Sequence, residues 1–244
     1  MHSPHNLRDA VSSIREGVDH ARAQYWRVRH YKRLNEERDA AFAAYKSQSP
    51  RCLHIGAANF DIKNWFNTDL APKTPGVYYL DATKRLPFPD CTFDFIFFEH
   101  MIEHIPFTAG RQLLAECRRV LERAGVVRIS TPNLRNILAL ISSHDRETET
   151  YLNWAVKTFN LPQEPYPKAP VVVNNFFRSW GHQFLYDPET MRRAMEEASL
   201  VNIVQEKVGV SAHPLLRGLE RHGQAIGDSI NEFETMVFEG AAGE

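Results

Sequence analysis

Between Arg51 and Leu134 the chain repeats one pattern, a short apolar run that leaves on a glycine or a carboxylate. Cys52 to Ile55 runs into Gly56, Ala57 and Ala58; Trp65 to Thr68 ends on Asp69; Val77 to Leu80 ends on Asp81; Phe93 to Phe98 ends on Glu99. Short apolar strands alternating with helical stretches fold as a parallel α/β sheet. Such sheets bind ligands beyond the carboxyl ends of their strands, where these polar groups fall. A glycine followed by two small residues at a strand exit leaves backbone N–H groups open to a nucleotide-type ligand.

The rest of the chain extends the pattern. Leu113, Leu114, Cys117, Val120 and Leu121 share one helical face, with Thr108 as the expected cap and Gly125 as the expected stop. Val126 to Ser130 reads as a fifth strand, and Val201 to Val208 and Phe233 to Phe238 as the last two. A helix from Pro188 to Ala198 precedes them. From about residue 135 to 186 the rhythm breaks, with Pro162, Pro165, Pro167 and Pro170 close together. That stretch is expected to be an irregular lid or substrate-facing excursion.

Residues 1–50 are expected to form a helical extension of their own, before a domain spanning 51–244. Val11, Ile14, Val18, Ala21, Tyr25 and Val28 recur at three-four spacing. The stripe either docks on its own domain or pairs with the same helix in a homodimer; both readings stay open. Arg27, Arg29, Lys32 and Arg33, interleaved with Tyr25, Trp26 and Tyr31, could approach an anionic membrane surface or a glycolipid. The bland alternative is a solvated helix face, since Glu36, Glu37 and Asp39 follow at once.

A net charge of −1 gives no electrostatic footprint for nucleic acid. No apolar run reaches the ~18 residues of a membrane span. The three cysteines, Cys52, Cys91 and Cys117, show no C-x-x-C spacing. With no signal-peptide pattern at the start, they read as reduced cytoplasmic thiols. Gly56-Ala57-Ala58-Asn59 lacks the second and third glycines of a dinucleotide fingerprint, and Asp69 comes earlier than the ~20-residue spacing of its ribose acid. A dehydrogenase is disfavoured.

Taken together, Leu53 to Gly56, Trp65 to Asp69, Leu80 to Lys84, Leu86 to Asp90, Phe93 to His100, Glu103 to Ile105, Arg119 to Leu121 and Val127 to Leu134 carry a resemblance. So does the later segment Asn174 to Asp187. The chain resembles the class I S-adenosylmethionine-dependent methyltransferases, and within them the bacterial proteins often associated with polysaccharide and glycoconjugate biosynthesis. The resemblance implies a Rossmann-like, mostly parallel seven-stranded sheet with helices on both faces. It also implies S-adenosyl-L-methionine as cofactor and a small-molecule or glycan acceptor, methylated on oxygen. By that likeness Asp69 holds the ribose diol, and Asp81, with Ala82 beside it, contacts the adenine region. Gly56, Ala57, Ala58 and Asn59, with His54, lie beneath the methionine part. Glu99 and His100 sit beside the methyl group. Where the family usually shows glycines, this chain reads Ala58, Asn59 and Ala124.

Glu99-His100-Met101-Ile102-Glu103-His104 is the densest titratable cluster. If the segment is helical, His100, Glu103 and His104 share a face. One reading makes His100 or His104 a general base. A second is a metal site of Glu99, Glu103 and His104: His-x-x-Glu-His matches an inverzincin motif, and the segment is similar to the metal cluster of small-RNA 2′-O-methyltransferases. In a third the pair is structural, bonded near Arg111 or Arg118. His182 is a further catalytic candidate, since it follows the excursion and could face substrate; Asn174, Asn175 and Arg178 could hydrogen-bond it. A non-catalytic scaffold with the same fold is the rival function.

Overall fold

The computed structural model describes residues 5–243, with side chains at position 20 and from position 23 onward. Two compact units divide the chain after Ser47. The first is a long helix, α1 (His5–Tyr45). Val11, Ile14, Val18 and Ala21 of the apolar stripe lie outside the described side chains. Tyr25, Trp26, Val28 and Tyr31 are exposed. Arg29 lies 5.7 Å from the Tyr25 ring and 5.8 Å from the Trp26 ring, while Lys32 and Arg33 pair with Glu36 and Glu37 one turn on. The basic cluster is therefore partly neutralised within its own helix.

The second unit is built on a seven-stranded sheet ordered β3-β2-β1-β4-β5-β7-β6. Its strands are β1 (Cys52–Ile55), β2 (Phe66–Asp69), β3 (Val77–Tyr79), β4 (Phe93–Glu99), β5 (Leu121–Pro132), β6 (Leu200–Glu206) and β7 (Thr235–Ala242). β1 to β5 pair in parallel, and β7 runs antiparallel to both neighbours. The sheet is thus the mostly parallel one expected. All four β1 residues and most of β5 and β7 are buried, which explains their continuous apolar runs.

The two sheet faces follow from register. His54 pairs with Phe97, Phe97 with Arg128, and Arg128 with Glu239, so these four side chains form one row on one face. The segment between β6 and β7 covers this face, with Leu216 and Leu219 packed on Cys52, Phe97 and Val126. The other face carries α2 (Phe107–Val120) and α6 (Pro188–Glu197), which contact each other and the β5-β7-β6 end.

Several boundaries differ from the sequence reading. α2 begins after Pro106 with no side-chain cap, so Thr108 is inside the helix and not its cap. The helix ends at Val120, and Leu121 to Gly125 already belong to β5. The strand makes the turn instead, at Ala124, where φ is 58°. The excursion is not irregular. It folds into α3 (Leu134–Ala139), α4 (Arg146–Thr158) and α5 (Lys168–Arg178), whose apolar sides join Ile137, Tyr151, Ala155, Val172 and Phe176 in a cluster of their own. The prolines sit between these helices or in the first turn of α5, where a missing N–H costs nothing. α7 (His222–Ile226) and α8 (Asp228–Glu234) complete the order.

Left-handed alanine is strained because its Cβ crowds the carbonyl. Two family glycine positions, Ala58 (φ 46°) and Ala124, are held in that region, whereas Asn59 is not. Ala124→Gly is therefore expected to stabilise the fold by about 0.5–1 kcal/mol after the added unfolded-state entropy. A urea titration that showed no gain or a loss would contradict the strain argument.

Candidate functional site

The site lies at the carboxyl ends of β1, β2 and β4. After β1 the chain turns at Gly56 (φ 77°), and the N–H groups of Gly56 and Ala57 donate to the Thr68 carbonyl at 2.8 and 2.9 Å. A Cβ at Gly56 would lie 2.6 Å from Met101 Cγ. Gly56 therefore lets the loop after β1 sit against the turn after β4. Ala58 N–H donates to Asp69 Oδ2 at 2.9 Å, and Ala71 N–H donates to Oδ1 at 2.7 Å. Each oxygen keeps a second lone pair for a ligand. Asp69 thereby braces the loop that it borders.

A cavity of about 390 Å³ opens above this loop, lined by His54, Gly56, Ala57, Ala58, Glu99 and His100 and roofed by Leu219, Arg221, His222 and Gln224. His54 forms part of the floor. Its Nδ1 lies 3.0 Å from Asn67 Oδ1, and Asn67 Oδ1 also accepts from Ile62 N–H. That network assigns the ring proton to Nδ1 and leaves Nε2 as an acceptor. Burial lowers the His54 pKa to about 4, against the pull of Asn67, Asp69 and Asp61, so the ring is neutral at pH 7.

The sign for stability follows. The unfolded His54 takes a proton near pH 6.5 and the folded one only near pH 4, so acid favours unfolding. Between pH 6.5 and pH 5 the protein is expected to lose about 2 kcal/mol from this residue, at about 1.4 kcal/mol per unit. Chemical denaturation at the two pH values should show that loss in wild type and a smaller one in His54→Gln. Equal losses would assign the acid sensitivity elsewhere.

Glu99 is committed differently from its sequence reading. It lines the cavity, but its two oxygens accept from the N–H groups of Arg221 (3.0 and 2.8 Å) and His222 (3.0 Å). It ties the roof segment to the end of β4. Asp81 accepts at Oδ1 from Thr83 N–H and Oγ1, at 3.0 and 2.6 Å, a local turn. Asn59, Asp69, Asp81 and Ala82 do not line the cavity itself.

A second cavity, of about 360 Å³, adjoins the first at His100 and His222, which line both. Those two rings lie 4.0 Å apart, centroid to centroid. The second cavity brings together His100, Glu103, His104 and His182 with Phe159, Phe176, Trp180 and Glu234. His182, from much further along the chain, thus meets the two candidates His100 and His104. The expected helix over the cluster is only a single 3-10 turn, Ile102–His104, and His100 precedes it with φ 44°. A left-handed histidine at a strand exit is a form of backbone strain that collects at functional sites.

His100 and Glu103 pair with each other, Nδ1 to Oε1 at 3.2 Å. Burial alone would lower His100, but the Glu103 carboxylate, with Glu234 and Glu99 behind it, outweighs this and raises its pKa. Burial likewise opposes the Glu103 charge, and the His100 imidazolium overcomes it, holding that carboxyl below its ordinary value. Of the two arginines in the structural alternative, Arg111 is committed elsewhere, its Nε donating to Glu197 at 2.7 Å. His182 donates from Nδ1 to the Phe176 carbonyl at 2.7 Å. Burial, reinforced by His104 and His100, lowers its pKa. Asn174 and Asn175 bond within their own helix and its cap, and they do not line the cavity.

His222 and Glu234 escaped the sequence reading. His222 Nε2 lies 2.8 Å from Glu234 Oε1, and the other Glu234 oxygen accepts from the Tyr151 hydroxyl at 2.5 Å. No local motif marks them, because the pair joins α7 to α8 and the excursion through tertiary packing. A lone His-Gly after a charged stretch was the available signal.

A methyltransferase-domain model matches residues 63–129, from the approach to β2 through β5. No curated protein matches the chain. Among solved structures, an S-adenosylmethionine-dependent methyltransferase from Archaeoglobus fulgidus is similar at 16% identity, TM-score 0.48, covering 86% of this chain and 93% of that one. One from Mesorhizobium loti shares 12% identity at TM-score 0.45, over 80% and 92% of the two chains. Haemonchus contortus phosphoethanolamine N-methyltransferase 2, with S-adenosyl-L-methionine bound, shares 14% at TM-score 0.42, over 86% of this chain and 53% of that one. The domain match and the β3-β2-β1-β4-β5-β7-β6 order support one enzyme class for this chain, the S-adenosylmethionine-dependent methyltransferases.

Proposed function

We propose that the chain transfers the methyl group of S-adenosylmethionine to an oxygen of a small polar acceptor, with a carbohydrate as the leading class. The observation that carries this reading is the pair of adjoining cavities that share only His100 and His222. One has the bare backbone of Gly56 to Ala58, with Asp69 bonded to the edge of that loop, suited to a nucleoside; the other has aromatic walls and ionisable groups suited to a polar acceptor. The residues present fit the donor: Gly56 to Ala58 add no bulk beyond a methyl, and Asp69 has free lone pairs at the loop.

When bound, S-adenosylmethionine supplies an electrophilic methyl on a sulfonium, the S–CH₃ bond breaking as the O–CH₃ bond forms. The protein's part is placement, exclusion of water and removal of the acceptor proton. His222 suits the last role. Its Nε2–H donates to Glu234, which fixes the tautomer and leaves Nδ1 to accept a proton. Burial works against the His100 charge, but the Glu103 carboxylate raises its pKa, which suits the ring to hold its proton beside an acceptor oxygen more than to take one. Phe159, Phe176 and Trp180 offer an apolar face to a ring. Reading the acceptor as a glycan-pathway sugar rests on the sequence resemblance.

The test is calorimetric titration of the full chain with S-adenosylmethionine. Micromolar affinity, about −8 kcal/mol, supports the donor site. No binding by the folded protein would overturn the enzymatic reading in favour of a scaffold.

A further inference from the structure

The wall of the second cavity holds a group of side chains of which the methyl-transfer reading uses only Glu103, and that only through His100. Glu103, His104 and His182 each place a ligand atom within 4.8 Å of those of the other two. Two imidazoles and a carboxylate are the donor set of open zinc sites, where a fourth position remains for water or substrate.

The supporting structure is that of a built site. His182 donates its Nδ1–H to the Phe176 carbonyl at 2.7 Å, which leaves the Nε2 lone pair for another partner. Metal-ligating histidines are fixed in this way. Glu103 is fully buried, and its Oε2 accepts from the Thr131 hydroxyl at 3.0 Å. Its Oε1 makes no well-directed hydrogen bond and has only the His100 nitrogen at 3.2 Å. The His104 ring has no hydrogen-bond partner among the described residues and meets the His182 ring edge-on at 5.0 Å.

The backbone is fixed as well. The Glu103 carbonyl accepts from Gln183 N–H at 2.7 Å, and Gln183 Nε2 donates to the His104 carbonyl at 2.7 Å. The turn after β4 and the segment after α5 are thereby locked side by side. At metal–ligand bonds of about 2.1 Å, the three side chains would close on an ion by small rotamer adjustments.

We infer that Glu103, His104 and His182 form a binding site for a divalent first-row transition-metal ion, Zn²⁺ being the probe, on the wall of the acceptor cavity. The set differs from one read off the sequence with Glu99, because Glu99 is committed to the backbone of Arg221 and His222. Imidazole ligands favour a transition metal over Mg²⁺ or Ca²⁺. The open position faces the cavity lined by Phe159, Phe176 and Trp180, so an oxygen-bearing acceptor could complete the coordination. That last role rests on the methyltransferase reading; the metal site does not.

The experiment is Zn²⁺ titration of the full chain after chelator dialysis, by calorimetry, with the visible spectrum of Co²⁺ as a reporter of ligand geometry. One equivalent bound at micromolar affinity or better is expected. His104→Ala and His182→Gln should each weaken binding by more than the about 10–100-fold that outer-shell changes cost, and should alter the Co²⁺ bands. His213→Ala, far from the cluster in sequence, should leave both unchanged. Melting curves of the metal-free variants are measured alongside; the half-buried, unbonded His104 is not expected to shift them. Absence of Zn²⁺ binding, or binding unaffected by both cluster variants, would overturn the inference. No methyl donor is present, so a failure here leaves the donor site standing, and a failure of donor binding leaves this result standing.

Discussion

Asp69→Ala is expected to weaken S-adenosylmethionine binding by about 100-fold, from two charge-assisted hydrogen bonds worth about 1.5 kcal/mol each. The carboxylate stands at the end of β2 with each oxygen already holding one backbone N–H, from Ala58 and from Ala71. These bonds orient it and order the loop after β1, and each oxygen keeps a second lone pair that a ligand at that loop would take up. The substitution would remove both functions together. Asp69→Asn separates them, since its amide retains one acceptor oxygen without the charge; about a tenfold loss is expected. Calorimetry with both variants decides it. Wild-type affinity in Asp69→Ala would remove this residue from the donor site.

Arg128→Met should be the most destabilising single change in the second unit, by about 3–5 kcal/mol. Arg128 is fully buried in the middle of β5. Its Nε donates to Glu220 at 2.6 Å, and its Nη1 donates to Glu239 and to the Val210 carbonyl at 2.6 and 2.8 Å. Without the guanidinium, two buried carboxylates lose their counter-charge, which costs more than an apolar replacement of the whole group. Glu220 also accepts from Gly209 N–H at 3.0 Å, so the cluster fastens the segment that becomes the cavity roof. Urea denaturation should show the loss in Arg128→Met and recovery of much of it in Arg128→Met combined with Glu220→Gln and Glu239→Gln. The single variant should also weaken donor binding through the loosened Leu219 to Gln224 roof. A loss below about 1 kcal/mol would mean that the carboxylates find other partners.

The sheet was legible because its information is local. β1 to β4 are short apolar runs closed by glycine or acid, and a buried parallel strand needs nothing more to declare itself. For the same reason the carboxyl-end loops, and Gly56 and Asp69 in them, could be placed before any coordinate. The helix start at Thr108 and stop at Gly125 misled because tertiary pairing prevailed over local signals: β5 keeps its bonds to β4 back to Leu121, and Ala124 takes the strained turn. The prolines of the excursion suggested irregular chain, yet they fall where helices begin or end, and a shared apolar cluster stabilises the three helices around them.

Which polar groups meet was decided only by the tertiary structure. The sequence shows His100, Glu103 and His104 as neighbours, but His182 arrives from beyond β5 and four helices, and His222 and Glu234 from the far end of the chain. It shows an arginine within an apolar strand, but the partners at 220 and 239 depend on register and on a loop crossing the sheet face. Periodicity records which face of an element is buried, a property of consecutive residues. Charge pairing, tautomer and ligand geometry depend on distances between elements remote in sequence, and those distances exist only once the core has packed.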